Sequence, residues 1–172
     1  MDNITIEQVT LKDKEQLQQI GRQTFFETFS SSNTDENMKR YLEEGFSLSK
    51  LAHELNDTNS AFYFARIGQQ IIGYLKVNFG ESQTELKNEQ ALEIERIYVL
   101  REFHGKNIGQ VLYEKAMAIA IEKKADYIWL GVWEENPRAI RFYEKNGFVA
   151  FDKHIFLLGN DAQTDIMMKK QI

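Results

Sequence analysis

The segment from Asn136 to Phe148 carries a hydroxyl that chemistry could use. It reads Asn-Pro-Arg-Ala-Ile-Arg-Phe-Tyr-Glu-Lys-Asn-Gly-Phe, in which Asn136 can cap a helix, Pro137 suits its first position and Gly147 can end it. Asn136 and Tyr143 then lie on one face of that helix, about two turns apart. The spacing predicts a Tyr143 phenol held at a fixed depth in a cleft, although an aromatic residue at helical spacing is also typical of a core.

A second candidate is the turn His104-Gly-Lys-Asn-Ile-Gly109, which follows a predicted strand and opens a predicted helix. Backbone amides at such a helix start can face an anion such as a pyrophosphate. The turn lacks the Lys-Ser/Thr ending of a P-loop and the three-glycine dinucleotide fingerprint. It therefore favours neither nucleotide hydrolysis nor hydride transfer, and a plain strand-to-helix turn is the alternative.

Two carboxylates, Glu93 and Glu95, alternate with Ile94 and Arg96 along a strand that we expect to be central in a sheet. A carboxylate in such a strand is costly unless it faces water or a partner. Glu95 is therefore either a proton acceptor that faces a site or one half of a salt bridge to Arg96 or another nearby basic residue.

Hydrophobic periodicity predicts the elements that position these residues. In the first half we expect a strand, a long helix, two short helices capped by Thr34 and Ser47, and an antiparallel hairpin turning at Gly68-Gln69. The bounds are Ile4 to Val9 and Leu11 to Phe29, then Thr34 to Gly45 and a helix from Ser47, then Ala61 to Ile67 and Gln70 to Phe79.

The second half alternates strands and helices, which implies a parallel pair joined by a crossover. The predicted elements are strand Ala91 to Val99, the helix after the His104 turn, strand Tyr127 to Val132, the Asn136 helix, and two closing strands near Phe148 to Leu158 and Thr164 to Lys169. Together with the hairpins, this pattern predicts a mixed sheet.

Composition narrows the class of protein. The chain has 172 residues, a net charge of -5 and an apolar fraction of 42%, values that suit a single domain over residues 1–172 with a sizeable core. The acidic balance argues against a nucleic-acid partner. The absence of cysteine excludes disulfides, thiolate metal sites and a cysteine nucleophile, and no metal site is predicted. With no signal peptide and no membrane-length apolar run, we expect a cytoplasmic protein without a membrane partner, and a homodimer is compatible with the sequence.

The order strand, glycine turn, helix, strand, then Asn-x-x-Ala-x-x-Phe-Tyr-x-x-x-Gly-Phe resembles the GNAT superfamily of acetyl-CoA-dependent N-acetyltransferases over nearly the whole chain. More narrowly, Leu92 to Val99, Ile128 to Glu134 and Thr164 to Met167 are similar to PaiA-type bacterial polyamine acetyltransferases. The resemblance implies the GNAT fold, an α/β (α+β mixed) architecture. Its central, mostly antiparallel sheet of about seven strands has a parallel pair that splays apart in the middle, and helices flank the sheet.

The resemblance also implies how acetyl-CoA, the expected cofactor, would bind. Backbone groups from Ile97 through Tyr98 to Val99, with Asn136 and Tyr143, would meet the pantetheine arm. The amides of one turn would hold the pyrophosphate: Gly105, Lys106, Asn107, Ile108, Gly109 and Gln110. The family pattern begins this turn with Gln or Arg, where this chain has His104, and has its first glycine at the position of Asn107. Because Asn tolerates the left-handed backbone better than most residues, we expect the turn to form, with His104 as a candidate phosphate contact.

The implied chemistry is direct acetyl transfer to an amine in a ternary complex. An amine with a pKa of about 10 is uncharged in only about one molecule in a thousand at neutral pH, so a base must remove a proton. Glu95 matches the position of the base in several relatives, and Tyr143 matches the general acid. A phenol with a pKa of about 10 can donate to a thiolate whose thiol has a pKa of about 8.5 without large tuning.

The subfamily resemblance favours a polyamine, spermidine or spermine, as the acceptor. Carboxylates between Glu27 and Glu54 lie among aromatic residues, and carboxylates spaced along a groove suit a linear polycation. These carboxylates are Glu27, Asp35, Glu36, Glu43, Glu44 and Glu54. The candidate acceptor residues are Phe26, Glu27, Tyr41, Glu95 and Trp133. A solvated helix face over an aromatic core is the alternative for any one of them.

Two other functions stay open at this point. One is an acetyltransferase for protein N-termini or lysine side chains. The other is a regulatory protein that binds acetyl-CoA or polyamines without turnover, which the altered glycine turn makes conceivable. The presence of Tyr143, Asn136 and Glu95 favours an enzyme over such a sensor.

Overall fold

A computed structural model describes residues 3–172 and is built around one seven-stranded sheet in the order β1-β2-β3-β4-β5-β7-β6. The strands are β1 (Ile4–Gln8), β2 (Ser60–Ile67), β3 (Gln70–Phe79), β4 (Ala91–Val99), β5 (Tyr127–Trp133), β6 (Val149–Leu158) and β7 (Asp161–Gln171). The helices are α1 (Lys14–Phe29), α2 (Asp35–Gly45), α3 (Leu48–Leu55), α4 (Ile108–Glu122) and α5 (Pro137–Lys145). The predicted mixed architecture is confirmed.

Local signals in the sequence place the helix starts. The Thr34 hydroxyl accepts a hydrogen bond from the amide of Asn37 at 3.1 Å, and the Ser47 hydroxyl accepts one from the amide of Lys50 at 3.2 Å. Each bond satisfies an amide in the first turn that has no partner within its own helix. The long helix starts later than predicted, because residues Leu11–Asp13 form a separate 3-10 turn before α1.

One strand pair sets the shape of the sheet's centre. All neighbouring strands are antiparallel except β4 and β5, which α4 connects as a parallel pair. This pair is in register only from Ala91 opposite Tyr127 to Ile94 opposite Leu130, although β4 continues to Val99 and β5 to Trp133. The two strands therefore separate beyond Ile94, as the resemblance implied, and the separation leaves an opening in the sheet.

The helices cover the two faces of the sheet separately. Leu112 of α4 and Tyr143 of α5 are buried in one hydrophobic cluster with Ile94 and Ile128. Residues of α1, α2 and α3 form a second cluster on the other face, where Phe25 packs with the sheet residues of that face. None of the helices within residues 3–172 combines the length and the apolar character that a membrane span needs.

A β-bulge on β4 changes which side chains share a face. Lys76 of β3 pairs with Arg96 and Val77 pairs with Ile94, so Glu95 is an extra residue on β4. Glu95 contacts Lys76, and Arg96 packs over the Phe46 ring of the α1–α3 cluster at 5.5 Å, so both side chains lie on that face. Strict alternation would have placed them on opposite faces.

Candidate functional site

A cleft of about 1180 Å³ occupies the opening between β4 and β5. Ile108 and Tyr143 line it from the α4–α5 face of the sheet, and Phe25 and Tyr41 line it from the α1–α3 face. The cleft therefore connects the two faces. A ligand on one face can meet a second ligand on the other at the point where the strands separate.

The turn before α4 has the conformation that a glycine would adopt. Asn107 is left-handed, with φ 68° and ψ 12°, and Gly105 has φ 79°. The expectation that Asn107 would support this backbone is confirmed. Gly105 and the segment 107–110 line the cleft, whereas Lys106 is not among the lining residues and its ammonium lies 5.2 Å from the Phe103 ring centroid. The unpaired amides at the start of α4 thus face a cavity where an anion can bind.

Charges of opposite sign occupy the two ends of the cleft. The end near α4 and α5 is lined by Arg101, Arg138, Arg141 and Lys145, with the imidazole of His104 beside them. The end on the α1–α3 face is lined by acidic residues: Glu85, Glu93, Glu95 and Asp165. Two carboxylates, Glu27 and Glu135, lie near the basic end, and Arg96 lies at the acidic end, where Glu54 and Glu95 neutralise it. An elongated ligand with phosphates at one end fits the basic end, as the expected cofactor requires.

Asn136 and Tyr143 hold the positions that their spacing predicted. The Asn136 side chain caps α5 by accepting a hydrogen bond from the amide of Ala139 at 3.2 Å. Tyr143 is 6% exposed and lines the cleft. Burial alone raises the pKa of its phenol well above the usual range, so the hydroxyl stays neutral. The role of Tyr143 as a proton donor stays a prediction.

Glu95 belongs to a network of ion pairs. Its carboxylate lies 3.0 Å from Lys76 Nζ and 3.2 Å from Arg96 Nε, and it accepts a hydrogen bond from Asn78 Nδ2 at 2.9 Å. Burial raises its pKa, but Arg96, Lys76 and the bond from Asn78 outweigh burial, so the pKa of Glu95 is lowered. The salt bridge that was the alternative for Glu95 is therefore present, and Glu95 is a fully ionised, weakly basic carboxylate.

Glu93 differs from Glu95 although it lies only two residues away. It is 3% exposed, lines the cleft and forms no ion pair with any residue from 3 to 172. Its carboxylate accepts hydrogen bonds from Asn78 Nδ2 at 3.0 Å, from the Thr84 amide at 2.8 Å and from the Thr84 hydroxyl. Burial raises the pKa of Glu93 despite these bonds. It is a better proton acceptor at neutral pH than Glu95.

Aromatic side chains form the walls of the acidic end. The indole N–H groups of Trp129 and Trp133 donate to Gln83 Oε1 at 2.7 Å and to Gln163 Oε1 at 2.6 Å, which fixes both rings. Asp165 also lines the cleft, and burial raises its pKa. Such a carboxylate gains most from a cation that enters the cleft.

The structure brings four of the five predicted acceptor residues to the cleft: Glu27, Tyr41, Glu95 and Trp133. Phe26 is wrong, because its side chain is 51% exposed and does not line the cleft. The predicted row of carboxylates is wrong as well. Its members on α2 are solvated, and Glu54 instead pairs with Lys76 and Arg96. Only Glu27 of that row lines the cleft, with its carboxylate accepting a hydrogen bond from the Arg101 amide at 3.0 Å.

Sequence reasoning missed several residues of the cleft. In its wall, His154 Nδ1 lies 2.9 Å from Glu85 Oε1, and Asp165 and Arg138 also line it. The alternation of β7 was the only signal for Asp165, which shares a face with Met167. Arg138 stands inside the Asn136 motif, but no spacing rule singles it out.

Tyr98 was predicted through its backbone, and its side chain lies on the α1–α3 face, 6.0 Å from the Tyr74 ring.

Comparisons with known proteins agree with this geometry. The profile described as the Acetyltransferase (GNAT) family matches residues 15–148. An uncharacterised N-acetyltransferase of Lactobacillus delbrueckii subsp. lactis is 38% identical over 172 residues, covering 100% of this chain and 99% of that protein. A spermidine N(1)-acetyltransferase of Thermoplasma acidophilum is 26% identical, with 98% of each chain covered. The crystal structure of PaiA N-acetyltransferase from Thermoplasma acidophilum in complex with coenzyme A has a TM-score of 0.81 at 24% identity, and the match covers 99% of each chain.

Proposed function

We propose a polyamine as the acceptor of this chain, which belongs to the acetyltransferase (GNAT) family and transfers acetyl from acetyl-CoA to an amine. The carrying observation is the acidic end of the cleft, where Glu93 and Asp165 are carboxylates whose pKa burial raises. An ammonium group that enters there would compensate the buried charge. The aromatic walls would add favourable contacts to desolvated cations. A spermidine N(1)-acetyltransferase among the relatives supports the same class of acceptor.

We assign the proton acceptor to Glu93. When bound, acetyl-CoA supplies the acetyl group as a reactive thioester. Glu93 lies on the last paired segment of β4, at the edge of the opening, with Asn78 and Thr84 holding its carboxylate by three hydrogen bonds. A carboxylate with a raised pKa takes a proton from an ammonium more readily than one that is paired with cations. Glu95 would act on the same proton only through water, as the second candidate.

Tyr143 has a role as a hydrogen-bond donor in this proposal. Its phenol is neutral and lines the cleft. It is carried by α5, the helix that Asn136 caps. A neutral hydroxyl in a site that excludes water can stabilise developing negative charge without transferring its proton completely. The raised pKa favours this role over early proton donation, since a weaker acid holds its proton longer.

Thiol release from acetyl-CoA with a panel of acceptors tests the proposal. Spermidine and spermine should give the highest kcat/KM, a monoamine of similar length should be poorer, and peptides with a free N-terminus or lysine should be poorer still. Faster release with a peptide than with every polyamine would replace the polyamine by a protein acceptor. Calorimetric binding of acetyl-CoA without release for any acceptor would indicate a sensor instead of an enzyme.

A further inference from the structure

We infer that Arg138 binds the pyrophosphate of the cofactor and that His104 is the positioning residue that orients it. The inference rests on acetyl-CoA occupying the basic end of the cleft and does not depend on which amine is the acceptor. Both residues line that end. They come from different elements, since His104 precedes α4 and Arg138 is the second residue of α5.

The contacts of His104 fix its tautomer. Its Nδ1 lies 3.0 Å from Arg138 Nη1, and its Nε2 lies 2.8 Å from the Val99 carbonyl oxygen. A guanidinium can only donate, so Nδ1 must accept; a carbonyl can only accept, so Nε2 must carry the proton. Both bonds together require a neutral imidazole, and burial lowers the pKa of His104 in agreement with that state. Neither ring nitrogen is left to contact a phosphate directly.

A neutral orienting partner leaves the charge of Arg138 intact. Three other arginines are paired with carboxylates: Arg40 with Glu36, Arg66 with Glu7 at 3.1 Å, and Arg96 with Glu95 at 3.2 Å. Among residues 3–172, Arg138 has no salt bridge, as is also true of Arg22, Arg101 and Arg141, but its guanidinium is held by the His104 ring. An arginine whose position is fixed by an uncharged group is suited to an anionic ligand, because no internal carboxylate competes for its remaining donors.

The position of Arg138 matches the pyrophosphate rather than another part of the cofactor. His104 starts the same turn whose amides, through the left-handed Asn107, open α4. Arg138 reaches this turn from α5, so its donors and the start of α4 converge on one region of the cleft. The bond between His104 and Val99 also ties the turn to the end of β4, where the pantetheine arm is expected. His104, which departs from the family pattern, thus holds the Arg138 guanidinium of α5 beside this turn.

Binding of three ligands to the Arg138→Gln variant, measured by calorimetry, tests the assignment. Affinity for coenzyme A and for dephospho-coenzyme A should fall by the same factor, about tenfold or more, because both contain the pyrophosphate. Affinity for pantetheine, which has no phosphate, should not change. Arg40→Gln, which removes an exposed arginine outside the cleft, is the control for net charge and should leave all three affinities unchanged. A loss confined to coenzyme A would move Arg138 to the 3′-phosphate, and no loss would remove it from the site; either result overturns the assignment.

A double-mutant cycle tests the positioning role of His104. His104→Phe should weaken binding of dephospho-coenzyme A in the wild-type background and have little further effect in the Arg138→Gln background, since it acts through Arg138. His104→Gln should restore part of the affinity, because a side-chain amide can donate to Val99 and accept from Arg138 at the same time. Additive losses in the cycle, or equal losses for Phe and Gln, would contradict the positioning role.

Discussion

At the scale of single residues, the two carboxylates of β4 have opposite environments. Glu95 is held by Lys76 and Arg96, which lower its pKa. Glu93 has hydrogen bonds but no cationic partner in the described part of the chain, and burial raises its pKa. The same residue type, two positions apart, is therefore a structural anion in one case and a candidate base in the other. Accepting a proton at neutral pH demands the second environment.

The activities of the Glu93→Gln and Glu95→Gln variants show which of the two carboxylates is the base. Glu93→Gln should lower kcat/KM at pH 7 by about a hundredfold or more, because the acceptor then has to lose its proton unaided. The loss should shrink as pH rises towards the pKa of the amine. In the wild type, activity should fall at acid pH as Glu93 takes up a proton. The rate of thiol release, measured across the pH range for the wild type and both variants, tests these three expectations. A larger loss of activity for Glu95→Gln than for Glu93→Gln in folded proteins would return the base role to Glu95.

The hydroxyl of Tyr143 can be removed with little change to the core. Its ring packs against Phe148 at 5.6 Å and Phe142 at 5.3 Å, contacts that phenylalanine can keep. Tyr143→Phe should therefore retain the fold and coenzyme A binding but lower kcat at least about tenfold, since one donor to developing charge is lost. Calorimetry gives the binding and initial rates give kcat. An unchanged kcat would exclude the phenol from the mechanism.

At the scale of elements, the bulge on β4 determines the charged network beneath the cleft. It places Glu95 and Arg96 on one face, where Lys76 of β3 and Glu54 of α3 complete the ion pairs. The network joins two neighbouring strands of the sheet to helix α3. Removing one buried member of the network should be strongly destabilising, because its partner is then left as an uncompensated buried charge.

The free energy of unfolding tests the network. Glu95→Gln should lower it by about 3 kcal/mol at pH 7. Because the pKa of Glu95 is lowered by folding, its stabilisation is complete above its unfolded pKa of about 4.3 and is lost as pH falls through the folded value. The difference from wild type should therefore shrink below about pH 4, as urea unfolding can measure. Glu36→Gln, in a surface pair with Arg40, should change stability by less than about 1 kcal/mol; equal effects of the two substitutions would argue against the network.

At the scale of the whole molecule, positive and negative side chains are separated between the two ends of the cleft. Basic side chains lie at the end formed by α4 and α5, and acidic side chains lie at the end bounded by β7 and the α1–α3 face. A net charge of -5 does not reveal this separation, because both signs occur throughout the chain. The arrangement would let an anionic cofactor and a cationic acceptor enter from opposite faces and meet where β4 and β5 separate.

Ionic strength should affect acceptors in proportion to their charge. Raising salt from about 0.05 M to 0.5 M should lower kcat/KM for spermidine more than for a monoamine, because more charges on the acceptor are screened from the carboxylates. Asp165→Asn should reduce the difference between the two acceptors. Asp152→Asn changes net charge equally at an exposed position outside the cleft and should leave the difference intact. Equal salt dependence for both acceptors in the wild type would count against a polycation site.

The features that the sequence determined are local or periodic. Thr34, Ser47 and Asn136 cap helices through amides three residues ahead, and Asn107 adopts the left-handed turn that its residue type tolerates. The order of strands and helices, and with it the parallel pair, also follows from patterns that extend over a few residues, whereas the splay of that pair was implied by the family resemblance. These features need only near neighbours in the chain, which are visible in the sequence itself.

Tertiary structure alone decided which charged side chains of the site contact one another. Lys76 meets Glu54 and Glu95, which are 22 and 19 residues away in the chain, and Arg138 meets His104 across 34 residues. The bulge that turns Arg96 towards Glu95 has no counterpart in simple alternation. A carboxylate's pKa depends on its burial and on the cations within a few ångströms, and both are set by packing between distant segments. The sequence therefore indicated where chemistry could occur, and the fold decided which carboxylate is suited to it.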